Sequence, residues 1–127
     1  MAVKSYSVLI NNKINEFNKV INVDSDKSIS IRAFLIGSIS QGVSKISDAL
    51  LSEDVFSTIN CLRKLNCKII KKSKNEYEVF GKGLGSYYAK KNTLLNLGNS
   101  GTGLRLISSI ISTTPDLEVI LTGDSSL

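Results

Sequence analysis

"TLLNLGNSGTGLRLISSIIST", residues 93–113, is the stretch whose reading decides the fold class. Its opening "TLLNL" reads as a short strand that runs straight into the glycine-rich turn "GNSGTG". Leu104, Ile107 and Ile111 then recur on one face at helical spacing, which predicts a helix over 102–113. Pro115 interrupts the chain, and "LEVILTGD", residues 117–124, reads as a further strand. Strand, turn, helix and strand in succession are the building unit of an α/β fold.

The same alternation extends toward the N-terminus. "KSISIRAFLIGSIS", residues 27–40, predicts a helix capped by Ser25 or Asp26 and stopped by Gly42. Its apolar residues Ile29, Ile31, Ala33, Phe34, Leu35, Ile36 and Ile39 surround the axis, so neighbours are expected to bury it on most faces. "VSKISDAL", residues 43–50, is a strand candidate. "LSEDVFSTINCLRKLN", residues 51–66, predicts a helix with Ser52 as N-cap. Glu53 and Asp54 in its first turn complement the helix dipole, Val55, Ile59, Leu62 and Leu65 share a face, and Asn66 closes it in a left-handed conformation. "CKIIKK" and "NEYEVFG", residues 67–72 and 75–81, read as a hairpin. At the start, residues 6–23, "YSVLINNKINEFNKVINV", predict two short strands around the Asn11-Asn12 break. The chain finishes on "GDSSL" with no closing element, so the expectation is a piece of a longer protein.

Composition narrows the chemistry. A chain of 127 residues, 42% hydrophobic and 21% charged, has the make-up of a soluble globular protein of one domain at most. It holds no apolar run of membrane-spanning length and no secretory leader, which points to the cytoplasm and away from a membrane. Histidine is absent, and this excludes the usual Ser-His and Cys-His bases and most zinc and iron sites. Cys61 and Cys67, six apart, match neither a zinc nor a redox spacing and read as small buried residues. No metal is expected. The net charge of +5 favours an anionic partner.

Two helix openings suit such a partner, because a helix N-terminus presents free amides and a partial positive charge. At "DKSISIR" the site gains the ammonium of Lys27, the hydroxyls of Ser28 and Ser30 and the guanidinium of Arg32. Ser28 and Arg32, four apart, share a helix face. At "LGNSGTGLR" the glycines Gly98, Gly101 and Gly103 allow left-handed backbone, close approach of a ligand and a nest of amides. A Walker-type nucleotide loop is excluded because Leu104 and Arg105 follow where a lysine is required. The two openings also echo each other: "DKSISIRAFLI" and "GNSGTGLRLIS" each set an Arg about one and a half turns into a helix, which hints at a repeated unit.

"DKSISIR", "LLSEDV", "LGNSGTGLR" and "LTGDSSL", in that order, closely resemble the N-terminal part of the 5-enolpyruvylshikimate-3-phosphate synthase family, over about residues 8–127. The related enolpyruvyl transferase of cell-wall synthesis fits less well, since it carries Lys-Asn where this chain has Lys27-Ser28. The resemblance implies an inside-out α/β barrel of two lobes, each built from repeated βαβαββ units. Residues 23–127 would be about one and a half units of the N-terminal lobe, and residues 1–22 strands that pack partly with the C-terminal lobe. It implies transfer of the enolpyruvyl group of phosphoenolpyruvate to the 5-hydroxyl of shikimate 3-phosphate, with release of phosphate. This is a step of the shikimate pathway to aromatic amino acids, and it needs no cofactor.

Residue by residue, Lys27 matches the family lysine that touches both ligands and serves catalysis, and Ser28 and Arg32 match residues that hold shikimate 3-phosphate. Gly101, with Asn99 beside it, matches the loop that receives phosphoenolpyruvate. The family's Arg-Pro segment and its acid and base carboxylates would lie beyond Leu127, so the chain alone is expected to be inactive, its parent a monomer, and its partners the two substrates and the remainder of the enzyme. Two positions depart from the family pattern: Asp24-Ser25 replaces Pro-Gly, and Ile31, expected to face the core, replaces a polar residue. A small basic module binding anions or nucleic acid is the competing reading. Aromatic content of 6% leaves it without a stacking platform, and nucleic acid is not expected as a partner.

Overall fold

The computed structural model describes residues 7–11, 16 and 18–127. The elements run α1 (Lys27–Ile39), β1 (Gln41–Ile46), α2 (Glu53–Lys64), β2 (Lys68–Lys71), β3 (Tyr77–Lys82), β4 (Thr93–Asn96), α3 (Gly101–Ile111) and β5 (Val119–Thr122). β3 lies between β1 and β2 and is antiparallel to both, with Val43 opposite Phe80 and Ile69 opposite Val79. β4 and β5 form a separate parallel pair that sets Leu95 beside Leu121. Parallel neighbours need a crossover, and α3 supplies it. Asn66 closes α2 at φ 64°, as its sequence position predicts.

The three helices pack on one another, and the strands lie outside them. α1 touches α2, α3, β1 and β3, and α2 touches β2 and β4. Ile31, Phe34 and Leu35 of α1 meet Val55, Ile59 and Leu62 of α2 and Ile107 of α3 in one core. Each such side chain contributes about 1.5–3 kcal/mol by leaving water. Phe34 also meets the edge of Tyr77 on β3, ring centroids 5.2 Å apart at 81°. The C-terminal turn of α1 lies directly on β3, because Gly81 has no side chain: a Cβ there would collide with the carbonyl oxygens of Gly37 and Ser40. None of the helices among the described residues is long and apolar enough to cross a membrane.

Two expectations change. The described part of residues 6–23 carries no strand, and Val8, Leu9, Ile10, Val20, Ile21 and Val23 are exposed. Residues 6, 12–15 and 17 of that prediction lie outside the described residues. Strands form by pairing, and the pairing edges used within this chain belong to later segments, so β propensity alone does not organise the start. The enclosure of α1 is also incomplete. Ile29, Arg32 and Ile36, spaced along one face, are exposed, while Ile31 on the other side is fully buried.

Candidate functional site

The opening of α1 is built by Asp26, whose Oδ1 accepts the amide of Ile29 at 2.7 Å. Lys27 is therefore the first helical residue, free to leave the helix axis. Its Nζ lies 2.7 Å from Oδ2 of Asp54, in the first turn of α2. The Lys27 side chain is 48% exposed and that of Asp54 only 11%, so the pair has one sheltered end and one open end. Ser28 is half-buried and Arg32 exposed, one turn apart on the same helix.

Ser30 does not join them. Its Oγ donates to the Asp26 carbonyl at 2.9 Å and accepts the Leu50 amide at 3.0 Å, and the residue is buried. A hydroxyl with both neighbours satisfied inside the fold ties the loop before α2 to α1, and it is not available to a ligand.

The opening of α3 differs from its prediction in a useful way. Of its three glycines only Gly98, at φ 57°, has left-handed backbone. Ser100 is the N-cap, its Oγ accepting the Gly103 amide at 3.1 Å. The Ser100 amide donates to Leu97 O at 3.0 Å and the Gly101 amide to Asn99 O at 3.1 Å. With those amides satisfied internally, the loop does not form the expected nest of successive free donors. Its glycines serve space instead. A Cβ on Gly103 would lie 2.7 Å from Ser100 Oγ and 2.9 Å from Thr58 Oγ1, so this position must stay bare for α3 to pack on α2. A Cβ on Gly101 would meet only Nη2 of Arg105, at 3.4 Å, an ordinary contact. Gly101 thus leaves room on an open side of the loop.

Both openings rest on the first turns of α2. Lys27 holds Asp54; the Asp54 carbonyl accepts Thr58 Oγ1 at 3.0 Å; and Thr58 is the residue against which bare Gly103 packs. Ser57 Oγ stands 3.4 Å from the Cβ position of Gly98. Asn99 is exposed and lines a cleft of about 360 Å³ with Glu53, Phe56, Ser57, Asn60, Gly98 and Asp124. Asp124 closes the loop from the other strand end, its amide donating to Gly98 O at 3.0 Å. Hydrogen bonds from the Ser126 hydroxyl (2.6 Å) and amide (2.9 Å) hold the Asp124 carboxyl below the ordinary range. Lys27 and the glycine loop are thus linked through the first turns of α2; Asn99 lines a cleft beside those turns, and Ser28 and Arg32 follow Lys27 along α1.

Sequence reasoning missed two participants. The sequence reads Asp54 as a complement to the helix dipole, but positions 54, 58, 61 and 62 all fall on the buried face of α2, which marks it as an acid aimed inward. Arg105, from the motif that ruled out a Walker loop, reaches back toward Gly101 over the opening of its own helix.

The family profile for EPSP synthase (3-phosphoshikimate 1-carboxyvinyltransferase) matches residues 11–127. A 3-phosphoshikimate 1-carboxyvinyltransferase of Thermoanaerobacter sp. (strain X514) is 47% identical over 108 residues, 85% of this chain and 25% of the relative. That of Streptococcus agalactiae serotype Ia is 42% identical over 113 residues, 89% of this chain and 26% of the relative. EPSP synthase from Acinetobacter baumannii superposes with a TM-score of 0.75 at 32% identity, over 84% of this chain and 24% of that one. The chain spans about a quarter of the length of the relatives it matches. With a fold, a pair of helix openings and a match over residues 11–127 in agreement, the chain belongs to the EPSP synthase family.

Proposed function

We propose that this chain supplies part of the substrate site of an enzyme that transfers the enolpyruvyl group of phosphoenolpyruvate to the 5-hydroxyl of shikimate 3-phosphate. The hydroxyl gives up its proton as its oxygen adds to the carbon bearing the phosphate and the methylene carbon is protonated to a methyl; a methyl proton and phosphate then leave the tetrahedral adduct, which restores the carbon–carbon double bond. Both substrates are polyanions, and the chain contributes cations and space to them. Lys27 is the catalytic residue that touches both, Ser28 and Arg32 hold shikimate 3-phosphate, and Asn99 and Gly101 receive phosphoenolpyruvate. The planar fork of Arg32 suits a phosphate through two parallel hydrogen bonds. The acid and base carboxylates come from other parts of the complete enzyme. The exposed apolar residues Val8, Leu9, Ile10, Val20 and Ile21 pack there partly against the other lobe. The complete enzyme is a cytoplasmic monomer.

One observation carries the reading: Lys27 and the glycine loop both lean on the first turns of α2, through Asp54 and Thr58 respectively. The nucleic-acid reading loses support, since Tyr87 is buried and hydrogen-bonded to Ser38 and only Tyr88 of that pair is exposed.

The test uses a full-length enzyme in which this chain replaces the corresponding quarter of the Thermoanaerobacter relative. Lys27→Met is expected to lower kcat/KM for both substrates by about a hundredfold or more. Phosphate release reports the rate, and thermal unfolding is followed in parallel because the substitution leaves Asp54 unpaired. A folded Lys27→Met enzyme with near-normal constants would remove the proposal.

A further inference from the structure

Asp54 is the only carboxylate that is buried among the described residues. A sheltered charge is unfavourable unless it is paired, and the position could hold an apolar residue at equal or better stability. Its place in the first turn of α2 helps, but Glu53 already offers the dipole an exposed carboxylate. Its side chain accepts no backbone amide among the described residues; what it holds is Lys27, at 2.7 Å. Neither packing nor capping accounts for an acid here.

Lys27 explains it. A lysine on a helix opening sweeps a wide volume through four flexible torsions, and a catalytic group gains by being held near one position. We propose that Asp54 is the positioning residue for Lys27: it reaches across from α2, takes one of the three ammonium donors, and leaves the other two facing the open side. The unequal exposure of the pair, 11% for the acid and 48% for the lysine, is the arrangement this demands, with a fixed anchor and a free working end. Because Asp54 and Thr58 belong to the same turn that supports Gly103, the anchor also sets Lys27 relative to the glycine loop. The inference rests on the role of Lys27 given under Proposed function and adds a residue to which that reading assigns nothing.

The experiment is a double-mutant cycle in the same full-length enzyme, with Asp54→Asn, Lys27→Met and the double variant. Asp54→Asn keeps the shape and removes the charge. It is expected to lower kcat about tenfold or more, with unfolding temperature near that of the parent. Added to Lys27→Met, it should change kcat less than twofold and should raise the unfolding temperature, since the orphaned carboxylate is gone. Asp54→Glu, which keeps the charge one methylene away, covers the case in which Asp54→Asn does not fold, and it should also lose kcat. Wild-type kcat in a folded Asp54 variant overturns the inference, as does a loss that multiplies in full on the Lys27→Met background. Failure of both Asp54 variants to fold overturns it too, by making the acid structural. If Lys27→Met itself is fully active, the reading under Proposed function fails; if only the Asp54 variants are normal, this inference alone fails.

Discussion

Two glycines two residues apart offer a sharp contrast. In Gly103→Ala the new methyl would sit 2.7 Å from Ser100 Oγ and 2.9 Å from Thr58 Oγ1, both well inside van der Waals contact. Relief requires both moving the Ser100 cap, worth about 1 kcal/mol, and pushing α3 off α2, an overpacking cost of about 1–3 kcal/mol. The intrinsic helix preference of Ala over Gly returns about 1 kcal/mol. The net is a loss of about 1–3 kcal/mol, or several degrees in Tm for a chain of this size. In Gly101→Ala the methyl meets only Arg105 Nη2 at 3.4 Å, and the backbone is not left-handed, so stability should hold or rise by up to about 1 kcal/mol. Thermal unfolding by circular dichroism measures both variants. In the full-length enzyme Gly101→Ala should then raise the KM for phosphoenolpyruvate well above that for shikimate 3-phosphate, because the methyl occupies the room the loop leaves open. A Gly101→Ala protein destabilised as much as Gly103→Ala would show that Gly101 is a packing position and would refute the reasoning. So would equal KM effects on the two substrates.

Gly81→Ala drives a methyl into the carbonyl oxygens of Gly37 and Ser40, where backbone cannot yield cheaply, so it should lower stability by about 3 kcal/mol or prevent folding, as read by urea unfolding. Ile31→Asn restores the polar character common in the family at a fully buried position; losing the apolar side chain and burying an amide should cost about 2–5 kcal/mol, and a Tm equal to the parent's would refute this. Burial pushes the Cys61 thiol from its ordinary 9.0 to about 11 and the Tyr87 phenol from 10.0 to about 12, the latter opposed by its hydrogen bond with Ser38. Raised values mean that folding favours the protonated forms. Their contribution is whole below about pH 9 and disappears as pH climbs through 11 and 12, so stability should fall across that range, and Tyr87→Phe should flatten its upper part. The same burial should keep Cys61 slow toward iodoacetamide at pH 8, with unfolded chain as the control.

Local signals carried most of the architecture. α1 and α2 begin at Asp26 and Ser52, at or beside the predicted caps, and the hairpin of β2 and β3 falls where its alternation puts it. The failures share a cause, which is dependence on a partner outside the segment. Residues 18–23 have the same β-branched character as β5, yet β5 is a strand because β4 lies beside it, whereas the earlier segment has no such neighbour among the described residues. Ile29 and Ile36 look identical in the sequence to Ile31 and Leu35, and only the placement of α2 and α3 decides which pair is covered. At α3, "GNSGTG" announced a turn, but the division of labour among its glycines depends on Thr58, a residue 45 positions from Gly103 that no local pattern connects to it.

That dependence bears on the site itself. The lysine was visible as a charge on a helix opening and the glycine loop as a gap, and either alone is compatible with an ordinary capped helix. Joining them is α2, and the joining residues are those that an amphipathic reading would assign to the core: Asp54 and Thr58 occupy the same face as Ile59 and Leu62. Polar residues in such a stripe are costly unless satisfied, and each is satisfied here, Thr58 by the Asp54 carbonyl and Asp54 by Lys27. The acid therefore reports on the lysine. An inward-facing carboxylate requires a cation within reach, and Lys27 meets that requirement from a helix that is adjacent in space and not in sequence.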